Sequence, residues 1–465
     1  MTFTRLTASI PGLRHIADSL EIMSAPGRAH LNALEMTADT GVLAGRLDKA
    51  GKTVVAVSDP AAAGPLARLL HVLMCVNDIS GTLRRLAAGH VADDTELFEL
   101  KTFALQCGDI SRYCAEMDLD AVAIPDMTAT VAILDPDGAR IPHFFIYDSY
   151  DPRLAPLRRR INACDAGSEE AAALFAEATA VEDEVKSALA ARLRPLAHVA
   201  TVALAAVGEL DFLIAHAKLA VAQGLCRPCI ADDGDTCYTA LFNPQVREAL
   251  RRRKRDFQPI DISVGEGVCV VTGANMGGKS VILKTLALAQ TLAQLGLYVP
   301  ASQASVTVVE EVRVCLGDDQ SELTGLSSFA AEMLRIDSAL KEASSGRRLL
   351  VLIDEPGRTT NPEEGRAIAG AIISCFGTLP SITVVTTHYS GLHASRRLRV
   401  RGLSNAADGS IGSIADIPLL MDYSLEEDSA AAAPREALRI AAMLGIDPTL
   451  IDSAARFLTL QQSQL

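Results

Sequence analysis

Tryptophan is absent from the 465 residues, and all aromatics together make up 4%. A chain so poor in aromatics and so rich in Ala and Leu favours helices over a sandwich or barrel. A surplus of positive charge is also missing. Lys plus Arg is 43 and Asp plus Glu is 57, a net charge of −14. Phosphate neutralisation needs a basic surface, so an acidic chain is a poor default nucleic-acid binder. No long apolar run is present. The uncharged, mostly apolar stretch Ala197–Gly208 falls short of the ~20 residues a membrane span needs. The opening Met1-Thr-Phe-Thr-Arg5 has no basic segment leading into an apolar core, so no secretory leader is expected. With no leader, the 10 Cys read as free thiols in a reducing cytoplasm. Cys226, Cys229 and Cys237 would be three zinc ligands at most. With no second pair or His at zinc spacing, packing is the favoured reading.

What is present is a sizeable core. Hydrophobic residues are 49%, and at ~100–200 residues per domain the length suggests two to four domains. The texture changes near residue 240. Before it, apolar residues recur at helical spacing in Leu66–Leu73, Leu97–Cys107 and Ala171–Ala222. Thr130–Leu134 and Phe144–Tyr147 read as short extended segments flanking a turn at Asp135-Pro-Asp-Gly138. After residue 240, short apolar runs alternate with helices: Gly267–Thr272, Leu349–Ile353 and Ile382–Thr386. This alternation predicts a parallel sheet covered on both faces. Asp408–Ala433 looks loop-rich, and an amphipathic helix follows Pro434.

The strongest chemical signal is Gly273-Ala-Asn-Met-Gly-Gly-Lys279-Ser280, a match to the phosphate-binding pattern G-x-x-x-x-G-K-[ST]. A predicted strand precedes it and a helix, Val281–Gln294, follows. Glycines let backbone N–H groups converge on a phosphate, and the helix N-terminus adds its positive end. Gly273, Asn275, Met276, Gly277, Gly278, Lys279, Ser280 and Val281 are therefore the nucleotide-binding candidates. Lys279 would contact the β- and γ-phosphates, and Ser280 would ligate Mg²⁺. Leu349–Ile353 then ends in Asp354-Glu355, two carboxylates at the ligand-binding end of a buried strand. Asp354 would hold Mg²⁺ and Glu355 would polarise the attacking water. His388, after the run Ile382–Thr386, would sense or orient the γ-phosphate. Phe242 and Phe257 lie where an adenine-stacking residue is expected. The basic run Arg251–Arg255 is read as a solvated helix end rather than a DNA contact.

Together these segments resemble the MutS family of ABC-type ATPases. The matching stretches are Thr272–Ser280, Gly296–Ala301, Leu326–Phe329, Asp354–Pro362 and Thr386–Tyr389. The resemblance is strong over residues 240–400 and weaker through Asp135–Ile161, Glu209–Ile230 and Leu20–Leu34. It implies a helical MutS-like core with shortened lever arms over 1–240. A P-loop ATPase domain with a parallel sheet would follow over 241–405, and a dimer-supporting helical segment over 406–465. It also implies a homodimer with composite sites, in which Ser327 and Ser328 complete the partner's site and Gln320 holds the Q-loop position. His388 takes the place of the family's switch histidine.

Mismatch readers in this family carry an N-terminal wedge domain and a DNA clamp, and another branch carries a C-terminal Smr nuclease. The chain offers no expected room for any of the three. The expectation is thus an ATP- and Mg²⁺-dependent dimeric switch acting on a protein. The stretch Ile133–Tyr150 and the run Thr359–Gly365 look similar to the MutS-like reactivating ATPase of cobalamin-dependent lysine or ornithine aminomutases. A DNA-binding protein of mismatch repair or recombination is the disfavoured alternative, and a weakly hydrolysing nucleotide-dependent scaffold is the third reading.

Overall fold

The computed structural model describes residues 1–165, 167–273, 277–316, 328–403, 420–428 and 436–462. They form two compact units. One comprises Met1–Ser19, Glu35–Leu47 and Ala222–Leu465; the other comprises Leu20–Leu34 and Asp48–Val221.

The second unit is helical. Its helix Asp94–Glu116 starts at a capping box: the Asp93 carboxylate accepts from the Glu96 N–H at 2.8 Å, and Glu96 accepts from the Asp93 N–H at 3.0 Å. The helix buries Leu97, Leu100, Phe103 and Ile110 on one face. Thr130–Leu134 is not extended but lies inside the helix Thr128–Leu134. Its start is set by Asp126, which accepts from the Thr128 N–H at 2.9 Å, and Thr130 and Leu134 are both buried at i,i+4 spacing. Phe144–Tyr147 forms no strand either. The segment wraps around one carboxylate instead. Asp135 accepts from Ala139 N–H at 3.1 Å, Arg140 N–H at 3.0 Å and Tyr147 Oη at 2.7 Å. Buried Lys101 holds the same segment by donating to the carbonyls of Ile141 at 2.9 Å and His143 at 3.1 Å.

Long helices Glu169–Leu193 and Ala197–Gln223 complete the unit. Glu169–Gln223 is long and apolar enough to cross a membrane by length and composition, yet 61% of its most apolar window is buried inside the protein, as in the core helix of a folded domain. Asp211 on this helix is fully buried and accepts from Met23 N–H at 3.1 Å, Ser24 N–H at 2.7 Å and Ser24 Oγ at 2.6 Å. A buried carboxylate is tolerated when it is so fully hydrogen-bonded.

The first unit carries ten described strands: β1 (Cys229–Ala231), β2 (Thr236–Leu241), β3 (Ile260–Val264), β4 (Gly267–Thr272), β5 (Gln303–Thr307), β6 (Glu311–Cys315), β7 (Leu349–Asp354), β8 (Ile382–Thr387), β9 (Arg396–Leu403) and β10 (Met421–Glu427). Six of them form a sheet in the order β10-β9-β4-β8-β7-β6. Pairing is parallel from β9 through β6; the three apolar runs predicted this for β4, β8 and β7, whereas β9 and β6 were not anticipated. The edge strand β10 is antiparallel to β9, so the sheet is mixed rather than all-parallel. Cross-strand ion pairs explain the addition: Arg399 meets Glu426 at 2.5 Å and Arg396 meets Glu427 at 2.7 Å. The other four strands form a second mixed sheet, β1-β5-β2-β3, which was not anticipated.

Helix Lys279–Leu295 lies between β4 and β5, a strand of the smaller sheet, while Ser328–Ser344 lies between β6 and β7 and Pro362–Phe376 between β7 and β8. Val270, Val351, Ile353, Ile373, Phe376 and Val385 form the core of the larger sheet. Each such fully buried apolar side chain contributes roughly 1.5–3 kcal/mol relative to exposure.

Candidate nucleotide site

Register places the site. Thr272 of β4 is opposite Thr387 of β8, and Thr386 of β8 is opposite Asp354 of β7. The C-terminal ends of three adjacent parallel strands are therefore level, and the motif residues emerge there together. Gly273 leaves β4 at φ +144, and Gly278 precedes the helix at φ +72. A side chain at Gly273 would stand 3.1 Å from Val400, so both conformation and space call for glycine.

Lys279 opens the helix Lys279–Leu295 and its side chain is only 3% exposed. Its Nζ donates to the Gly273 carbonyl at 2.8 Å and meets Glu355 Oε1 at 3.1 Å. The Lys279 side chain thus closes the loop that starts at Gly273 and reaches the carboxylate of the neighbouring strand end. Glu355 adopts φ +44, a region that non-glycine residues rarely occupy. Its N–H donates to Thr386, to the carbonyl at 3.0 Å and the hydroxyl at 3.1 Å. Those bonds hold the strained residue in place.

Ser280 Oγ donates to Asp354 Oδ2 at 2.6 Å, and Thr386 Oγ1 donates to Asp354 Oδ1 at 2.5 Å. Two hard oxygen donors, a hydroxyl and a carboxylate, thus sit side by side next to the phosphate loop. This donor chemistry suits Mg²⁺, which keeps its remaining positions for phosphate and water. Among the described residues, no group of three or more His, Cys, Asp or Glu side chains is placed to hold a metal ion. Cys229 and Cys237 both pair with Ser305 from opposite sides of β5, which sets them about 9.6 Å apart.

His388 follows β8 directly, is exposed, and its ring lies 4.2 Å from that of Tyr389. It makes no hydrogen bond or ion pair to the other site residues among the described ones. Asn275, Met276, Gln320 and Ser327 lie outside the described residues, as does the side chain of Ser328, with which the helix Ser328–Ser344 begins.

A cavity of about 610 Å³ adjoins the loop, lined in part by Gly277, Gly278, Val281, Phe257 and Tyr423. Phe242 is not in it; that ring is buried beneath the Arg247 guanidinium, 3.7 Å from its centroid. Arg251 and Arg252 end the helix Pro244–Arg252 with cations favoured by its dipole, whereas Lys254 and Arg255 line the cavity.

Three residues of the site went unnoticed in the sequence. Thr386 appeared as a strand end and inside a matching stretch, with no role of its own. Tyr423 sits in a stretch read as loop. Glu332, 6% exposed, accepts from the Gly357 N–H at 3.2 Å, just past Glu355. Burial pushes its carboxyl upward, and the charge of Asp354 adds to the shift. The one available signal for Glu332 was a carboxylate on the inner face of a predicted helix.

Level strand ends thus bring Gly273, Lys279, Ser280 and Asp354-Glu355 together in the arrangement that a P-loop motif calls for. Residues 269–461 match the family model of MutS domain V, and the chain is similar to curated proteins named endonuclease MutS2 and DNA mismatch repair protein MutS. The chain is 38% identical over 204 residues to the endonuclease MutS2 of Thermus thermophilus, covering 44% of this chain and 26% of that protein. It is 33% identical over 272 residues to the endonuclease MutS2 of Levilactobacillus brevis, covering 56% and 31%. It is 32% identical over 202 residues to the DNA mismatch repair protein MutS of Shouchella clausii, covering 42% and 23%. The chain spans about a third or less of the length of these curated relatives.

Proposed function

We propose that this chain binds ATP with Mg²⁺, hydrolyses it, and uses the cycle to change the conformation of a bound partner in the cytoplasm. The observation that carries this reading is the Lys279–Glu355 pair at the mouth of a Gly-rich loop. On nucleotide binding, Lys279 would exchange Glu355 for the β- and γ-phosphates. The released carboxylate is then free to polarise the attacking water. Ser280 and Asp354 would hold Mg²⁺, which neutralises phosphate charge. His388 and Gln320 would address the γ-phosphate. Ser327 and Ser328 of a second copy would complete each site, giving a homodimer with two composite sites. These last four assignments rest on the family resemblance.

For the partner, we favour a protein client, a cobalamin-dependent aminomutase that ATP binding would open to let damaged cofactor leave. The sequence of Ile133–Tyr150 and the net charge of −14 support it. The names of the relatives, endonuclease MutS2 and DNA mismatch repair protein MutS, favour the other reading, a DNA-structure binder. Two measurements separate them. Recovery of an inactivated aminomutase with this protein and ATP supports the first. Submicromolar binding of branched or mismatched DNA at physiological salt, falling steeply as salt rises, supports the second and removes the first.

A further inference from the structure

The cavity beside the phosphate loop draws its two aromatic residues from distant segments, Phe257 ahead of β3 and Tyr423 on β10. Tyr423 faces the loop closely: a side chain at Gly278 would stand 3.3 Å from Tyr423 Cδ1. Yet the ladder holds Tyr423 poorly. The β9–β10 register shifts between Asp422, opposite Gly402, and Leu425, opposite Val400. Tyr423 and Ser424 therefore stand where β9 offers the single residue Arg401. Such a bulge re-aims a side chain and leaves backbone groups to find other partners.

Gln258 supplies them. Its Oε1 accepts from the Tyr423 N–H at 2.9 Å, and its Nε2 donates to Asp422 Oδ1 at 2.8 Å and Ser424 Oγ at 3.1 Å. One amide thus grips the residue before Tyr423, the residue after it, and Tyr423 itself. Asp422 is fixed in turn by the Ser424 N–H at 2.9 Å and by Arg401 at 3.6 Å. Gln258 also adjoins Phe257 in the chain, so one short segment carries one aromatic wall of the cavity and anchors the other.

We propose that Gln258 is a positioning residue for the nucleobase, clamping the β10 bulge so that Tyr423 is held, with Phe257, in the cavity that receives the base. This inference rests on the reading that the P-loop takes a nucleoside triphosphate. Base–aromatic stacking tolerates little displacement of the ring, so the clamp acts on the base and not on the phosphates.

The test is calorimetric titration of the full chain with Mg²⁺·ATP and, separately, with Mg²⁺·tripolyphosphate, which keeps the phosphates and lacks the nucleoside. Gln258→Ala weakens ATP binding about threefold to tenfold, the loss expected for one to two hydrogen bonds, and leaves tripolyphosphate binding unchanged. Gln258→Glu sets a carboxylate against Asp422 and weakens ATP further. Adding Asp422→Asn restores a donor between the two and recovers most of that loss. Equal effects on both ligands, or no recovery in the double variant, overturn the proposal. A wild-type chain that binds neither ligand overturns the P-loop reading itself. A wild-type chain that binds both with equal affinity overturns only the nucleobase clamp.

Discussion

Replacing Glu355 by glutamine tests the electrostatics of the Lys279–Glu355 pair. Lys279 and Glu355 meet at 3.1 Å with side chains 3% and 10% exposed. Breaking a buried pair by removing one charge costs about 3–5 kcal/mol, because the remaining charge is left uncompensated. Lys279 keeps its bond to the Gly273 carbonyl at 2.8 Å, and the substituted side chain retains an amide oxygen, so about 2 kcal/mol is the expected cost of Glu355→Gln. Bound triphosphate supplies the missing negative charge. The nucleotide-bound forms of wild type and variant then have similar stability, and linkage requires the variant to bind ATP more tightly by the same energy. About 2 kcal/mol corresponds to roughly 30-fold in affinity. Urea unfolding with and without Mg²⁺·ATP, paired with calorimetric titration, measures both sides of this cycle. Turnover falls sharply in the same variant, since an amide is a poor base. A variant as stable as wild type without nucleotide, with unchanged ATP affinity, would refute the idea that Glu355 restrains Lys279.

Further outcomes follow from other contacts. Ser280→Ala removes the donor 2.6 Å from Asp354; nucleotide affinity measured with and without Mg²⁺ then shows little metal dependence, whereas wild type shows a clear one. Tyr147→Phe strips Asp135 of a partner at 2.7 Å and destabilises the helical unit by about 1–3 kcal/mol, read from the urea midpoint. Hydrogen bonds from Ser424 and then Gln258 lower the Asp422 carboxyl to about 2. A depressed carboxylate contributes stability above its unfolded value near 3.8 and loses it as pH falls through the folded value. The stability gap between wild type and Asp422→Asn is accordingly largest above about pH 4 and shrinks as pH approaches about 2.

Sequence made the centre of the larger sheet legible because β4, β7 and β8 are unbroken apolar runs, buried on both faces, and each ends in a motif. Their common level at the site, which joins Ser280, Asp354 and Thr386, was not legible, since register is a long-range property. Strands β9 and β10 were hidden by their charge. Arg396, Arg397, Arg399 and Arg401 leave no apolar run to notice, and only the fold brings them against the cross-strand carboxylates Asp422 and Glu426 to Asp428. Tyr423 was lost with that strand. Thr130–Leu134 misled for the opposite reason. A seven-residue apolar segment fits either period, and the local cap at Asp126, together with packing on one face, decided for a helix. Phe242 and Phe257 were equal candidates by position; only burial under Arg247 separates them.

Lys279 and its loop are proposed to form a working nucleotide site. The most direct measurement is titration of the full chain with Mg²⁺·ATP alongside Lys279→Ala, with phosphate release followed on the same samples. Saturable ATP binding and hydrolysis by wild type, both abolished in Lys279→Ala, is the predicted result. Equal binding by the two proteins, or none by wild type, would contradict it.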